Sequence, residues 1–103
     1  MTGRRDQYVD RLKAKLDDWN ADIDRLEGRL EGAAETVRSE YQEHIDALRG
    51  RRRDLEEKLR GLSHAAEEAW EDMRAGVDVA ADALAAAIRA AWERFGRSAS
   101  AGD

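Results

Sequence analysis

From Val9 onward the apolar residues fall at alternating intervals of three and four: Val9, Leu12, Leu16, Trp19, Ile23, Leu26, Leu30, Ala33 and Val37. On a helix these positions form one continuous stripe, with Val9, Leu16, Ile23, Leu30 and Val37 at heptad position a and Leu12, Trp19, Leu26 and Ala33 at d. The pattern persists for four heptads. It commits the first third of the chain to a coiled-coil-like helix that buries a narrow seam. The rhythm then shifts to Val37, Tyr41, Ile45 and Leu48, a stutter that locally unwinds a left-handed supercoil. The heptad resumes through Ile45, Leu48, Arg52, Leu55, Leu59 and Leu62, which puts an arginine at a core position. Arg52 therefore needs a nearby acid, or must reach outward along its aliphatic stem.

The phase fails at Gly61-Leu62-Ser63-His64. Gly61 suits a helix C-terminus and Ser63 an N-cap. Lys58 and Arg60 before the break, and Glu67 and Glu68 after it, complement the helix dipoles. A turn is expected at 61–64, with Gly50 in RGRRRD as the alternative break. Gly28, Gly32, Gly50 and Gly76 each cost about 1 kcal/mol against alanine. Their neighbours keep the phase, so they are read as lying within helices. The second helix is expected over about residues 64–95, with the stripe Ala66, Trp70, Met73, Val77, Ala80, Leu84, Ile88, Ala91 and Phe95, and Trp92 beside it. Residues 96–103 read as a frayed tail.

The expected fold is all-α: one coiled-coil domain over residues 1–103, built as a long antiparallel hairpin with unequal arms, helix 1 over about 5–60 and helix 2 over about 64–95. Folding back at 61–64 would pair Leu59 with Ala66, Leu55 with Trp70, Arg52 with Met73, Leu48 with Val77, Ile45 with Ala80, Tyr41 with Leu84 and Val37 with Ile88. Asp72 would then lie within reach of Arg52, and Gly76 would allow close approach near Leu48. Helix 1 would span about 85 Å and helix 2 about 50 Å at 1.5 Å per residue. The heptad Val9, Leu12, Leu16, Trp19, Ile23, Leu26 and Leu30 would thus overhang without a partner in the hairpin. Self-association into a dimer or larger helical bundle would cover it. Like-charge ladders at Glu27, Glu31 and Glu35, and at Arg49 and Arg53, repel within one helix and suit an opposite ladder on another; a helical protein partner is the other candidate for that role.

Composition enters as a set of exclusions. Charged residues make up 40% of the 103 residues, yet the net charge is only −5. Residues 1–62 hold 14 basic and 15 acidic side chains, and residues 63–103 hold 4 and 8. No basic face suits nucleic acid or anionic lipid. Cysteine is absent, which excludes disulfides, thiolate catalysis and zinc–thiolate sites. The opening MTGRRDQYVD lacks the apolar run of a secretory signal, and the longest uncharged run in the C-terminal part, Ala83–Ile88, is too short to span a membrane. A cytoplasmic protein is the expectation.

No catalytic or cofactor-binding residues emerge. Glu40, Glu43 and His44 cluster in YQEH, but the Glu-x-x-His spacing of di-iron bundles is lacking, there is no second copy, and His64 is about 30 Å away at helical rise; no metal site is expected. Arg49, Arg51, Arg52 and Arg53 form a basic run, but acids flank it and no phosphate loop accompanies it. Trp70, Met73, Trp92 and Phe95 could insert into lipid, although the polar face of that helix is mainly acidic.

The segments YVDRLKAKLDDWNADIDRLEGRLEGAAE, YQEHIDALRGRRRDLEEKLRGL and AWEDMRAGVDVAADAL together resemble small bacterial coiled-coil proteins, many linked only to stress response or of unknown function. The similarity covers roughly residues 7–95, most specifically Asp18-Trp19 with Ile23-Asp24 and Leu26, Tyr41–Arg52, and Trp70-Glu71-Asp72 with Ala75-Gly76-Val77. It implies a helical cytoplasmic protein without established catalytic residues. This chain is richer in arginine and alanine than the usual lysine-rich members.

Overall fold

The expected first helix breaks after Leu30. The computed structural model describes residues 3–101, with side chains through Arg94, and its elements are α1 (Gly3–Leu30), α2 (Glu35–Ser63) and α3 (Glu67–Ala101). The chain is all-α, and its described residues contain no strand. Of the expected frayed tail, the backbone through Ala101 is part of α3, and residues 102 and 103 lie outside the described residues.

The break at 31–34 corrects the expectation of one helix over about 5–60. Glu31 and Ala33 donate backbone N–H groups to Gly28 and Leu30, three residues back, which tightens the last turn of α1. Ala34 is extended, with φ −61° and ψ 152°, and α2 then starts with an acid, Glu35, in its first turn. Gly28 weakens the last turns of α1, and Gly32 lies in the break itself. Spacing alone places both inside a helix, because Val37 stays in heptad phase with Leu30. Phase continuity, however, is compatible with a four-residue turn when the next helix returns along the first. The second turn falls near its expected place: His64 and Ala65 donate to Gly61 and Leu62, and α3 starts at Glu67. Ser63 is not its N-cap. It closes α2, and its hydroxyl donates to the Leu59 carbonyl at 3.1 Å. Gly50, the alternative break, lies inside α2.

The three helices run up, down and up in a bundle 56 × 19 × 16 Å. The long axis matches the 35 residues of α3, which span about 52 Å at helical rise. One core holds Val9, Leu12, Leu16, Ile23, Leu26 and Leu30 from α1, Tyr41, Ile45, Leu48, Leu55, Leu59 and Leu62 from α2, and Val77, Ala81, Leu84, Ile88 and Ala91 from α3. Trp19, Val37, Trp70, Ala80 and Trp92 pack half-buried at its edges. The α1 seam therefore has its partners inside the chain. Val9, Leu12, Leu16, Ile23, Leu26 and Leu30 are buried, Ile23 and Leu26 completely. No overhanging stripe exists, and these residues are not the free self-association surface expected of them.

Between α2 and α3 the register also differs. Met73 lies over Gly61, whose added Cβ would stand 3.4 Å from Met73 Cε, rather than opposite Arg52. Trp70 packs on α1 rather than on Leu55: its ring meets Tyr8 edge-on with centroids 5.8 Å apart, and the Arg5 guanidinium sits 4.5 Å above it. A Cβ on Gly76 would meet nothing within 4 Å, so no close approach occurs there. The register moves because α1 takes part of the α3 surface that a two-helix hairpin would have given to α2.

Arg52 turns to its own helix. Its guanidinium bonds Glu56 at 2.8 Å, not Asp72, and its Nε is buried without a hydrogen-bond partner. Replacing Arg52 by methionine removes the unsatisfied buried Nε, while Glu56, partly exposed and 3.7 Å from Arg60, keeps water and a second cation. Arg52→Met is expected to stabilise the fold by about 1 kcal/mol, raising Tm by about 4–8 °C in a chain of this size. A thermal melt followed by circular dichroism measures it.

Candidate interaction surface

Each bundle face offers something different, so each sequence-derived candidate can be placed. The arginine run disperses around α2. Arg49 crosses to α1, bonding Asp24 at 2.9 Å and Glu27 at 2.8 Å. The Asp24 bond contributes most to pushing its pKa up, and Glu27 adds to it. Glu27, the one member of the glutamate ladder that lies on α1, thus finds a cationic counterpart within the same chain, while Glu31 falls in the turn and Glu35 begins α2. Arg52 holds Glu56, and Arg53 is exposed. Arg51 lies in an open groove of about 580 Å³ between α2 and α3, with Tyr41, His44, Leu48, Ala87 and Arg94. Divergence of this kind makes no phosphate cradle.

The YQEH cluster gives no metal cage. Among the described residues no group of three or more His, Asp or Glu side chains is arranged to hold a metal ion. His44 Nε2 instead lies 3.0 Å from the Arg94 guanidinium of α3. His64 forms the C-cap of α2.

The α1–α3 face is closed by polar and aromatic contacts that sequence reasoning missed. Arg5 donates to the Ala65 carbonyl at 2.6 Å, and Arg29 sits 4.5 Å over the Trp92 ring. The Tyr8 hydroxyl donates to Asp78, which also bonds Arg74 at 2.9 Å. Burial foremost, and then the Asp78 carboxylate, push the Tyr8 pKa well above that of a free tyrosine. The sign follows: a raised folded-state pKa contributes stability below about pH 10, and that stability is lost as the pH climbs through the folded value. Tyr8→Phe should therefore flatten the decline in Tm between about pH 9 and 11 relative to the parent. Thermal melts across that range would show it, and parallel declines would remove Tyr8 from the account. Trp70 and Trp92, singled out as lipid anchors, are both engaged in these contacts. Phe95, the other aromatic anchor, has its side chain outside the described residues. No helix among the described residues is long and apolar enough to cross a membrane.

What is left is the outer side of α3. The two large apolar residues most exposed among the described residues are Met73 and Val79, at 36% and 70%. Both lie on α3. Val79 faces directly away from the core, and Ala75, Ala83, Ala86 and Ala90 continue its line at helical spacing, all exposed. The first and second helices have no equivalent: their outer faces carry charge. An alanine run reads in sequence as a small-residue seam against a larger partner, and only Ala81 and Ala91 of that run are buried.

The fold and this surface define a three-helix bundle with one apolar outer helix face. Comparison with protein-family models, with curated proteins and with solved structures gave no match.

Proposed function

We propose that the chain is a non-enzymatic, self-associating helical scaffold or adaptor, working through helix–helix contact at the bundle surface. The observation that carries this is Val79, 70% exposed within an apolar line on the outer face of α3. An apolar line on a charged surface is what helical partners bury. A cytoplasmic setting and a role in bacterial stress belong to the same proposal and rest on sequence features and resemblance. The lipid-binding alternative is weakened by Trp70 and Trp92, whose rings are held under Arg5 and Arg29.

Mass in solution tests the proposal. Sedimentation or light scattering from about 1 to 500 µM should show a monomer passing into a dimer, as a small interface implies. Ala86→Arg should keep the chain monomeric over that range with its helical spectrum intact. A parent that stays monomeric throughout would overturn self-association.

A further inference from the structure

The outer face of α3 is complementary to itself in one orientation only. Its line Ala75, Val79, Ala83, Ala86, Ala90 is nearly palindromic about Asp82–Ala83. Laying a second α3 antiparallel across it sets Ala75 against Ala90 of the second copy and Val79 against Ala86 of the second copy, with Ala83 at the two-fold axis. The line extends about 22 Å, and with one valine among alanines it lets two backbones approach closely.

Charge selects the same orientation. From Glu67 to Asp82 the helix carries six carboxylates and one arginine; from Ala83 to Arg94 it carries two arginines and one carboxylate. Parallel pairing would set acid against acid. Antiparallel pairing sets the acidic half against the half that carries Arg89 and Arg94 and opposes the helix dipoles, with acids meeting only where Asp82 faces its copy at the axis and where Glu93 comes level with Asp72. At the register given by the apolar line, Arg94 comes level with Glu71 and Asp72 of the second copy, and Arg89 comes within a turn of Asp78 of the second copy. Arg89 and Asp72 are exposed and make no ion pair with another described residue. Arg94 is exposed too, and its polar contact among the described residues is with His44.

From this we infer that the occupant of the α3 outer face is the same face of a second copy, in an antiparallel two-fold pair centred on Asp82–Ala83. The inference rests on the self-associating reading above and adds the partner surface, the orientation and the register. The pair makes an elongated six-helix particle whose α1–α2 faces point away from the axis, which is how a small bundle would present two identical outer surfaces.

The chain has no cysteine, so single cysteines report the pairing directly. Ala83→Cys should give a disulfide-linked dimer under mild oxidation. Ala75→Cys alone and Ala90→Cys alone should not, whereas an equimolar mixture of those two should give the cross-linked heterodimer. A charge swap is the second measurement: Asp72→Arg and Arg94→Glu should each weaken the dimer at least ten-fold, and the double variant should recover most of that loss. Circular dichroism on each variant separates lost pairing from lost folding. Ala75→Cys cross-linking to itself would show parallel pairing and overturn the inference. So would a dimer that cross-links at none of these positions or ignores the swap, while the self-associating scaffold would stand. A parent chain monomeric at every concentration would remove both.

Discussion

Ile23→Asp is expected to unfold the chain rather than to dissociate it. Ile23 is fully buried at the meeting of the three helices, with Leu26 and Leu16 above and below it in the α1 stripe. Removing a buried isoleucine side chain costs about 2–5 kcal/mol through lost burial and the cavity left behind. Placing a carboxylate in that space adds a desolvation cost of several kcal/mol, or forces protonation. Domains of this size are stable by about 5–15 kcal/mol, so the combined effect reaches the total. The expected result is loss of the cooperative melt and of most helical signal at any protein concentration, with Leu16→Asp behaving alike. The alternative is well defined. Had α1 overhung a long hairpin, the same change would have halved the mass and left helicity intact, and that outcome would return the seam to an intermolecular role.

The largest gain in stability is expected from glycines. Gly28, Gly50 and Gly76 lie in α1, α2 and α3, none has a positive φ, and a Cβ added at any of them meets nothing within 4 Å. Alanine at each should contribute about 0.5–1 kcal/mol by lowering the entropy of the unfolded chain and raising helix propensity. The sites lie on different helices and share no contact, so the effects should add, to about 2 kcal/mol or more. In a chain of about 100 residues this raises Tm by about 10 °C. Differential scanning calorimetry of Gly28→Ala/Gly50→Ala/Gly76→Ala against the parent is the measurement. A triple variant melting at or below the parent would show that something presses against one of these positions, and the single variants would identify it.

Much of the fold was legible one helix at a time. The α1 stripe is the α1 core, and Tyr41, Ile45, Leu48, Leu55 and Leu59 are the buried face of α2. Val77, Leu84 and Ile88 are buried on α3 as their spacing required. The failures concern relations between helices. The turn at 31–34 left no signature beyond two weak glycines, because Val37 resumes the phase of Leu30. The hairpin register pairs Trp70 with Leu55, whereas Tyr8 and Arg5 hold it, contacts that depend on where α1 returns. The same register offers Asp72 to Arg52, which instead bonds Glu56, the acid one turn away on its own helix. The outer face of α3 was hidden for a related reason. Alanine suits a tight inner seam and an outer face equally, and only the position of α1 shows which alanines stay uncovered.

By itself, then, the sequence determined that the chain is helical, which side of each helix is apolar, and where one turn falls, since periodicity and capping chemistry act within a few residues. Whether the heptad of α1 would be buried by another molecule or by its own chain was decided by the tertiary structure alone. A seam states its need for a partner helix but not the source of one. A four-residue turn holds α2 and α3 beside α1 at an effective concentration that a separate molecule does not match, so the intramolecular bundle forms first. Among the described residues, the apolar surface that this bundle leaves uncovered is on α3, at Val79 with its alanines and at Met73.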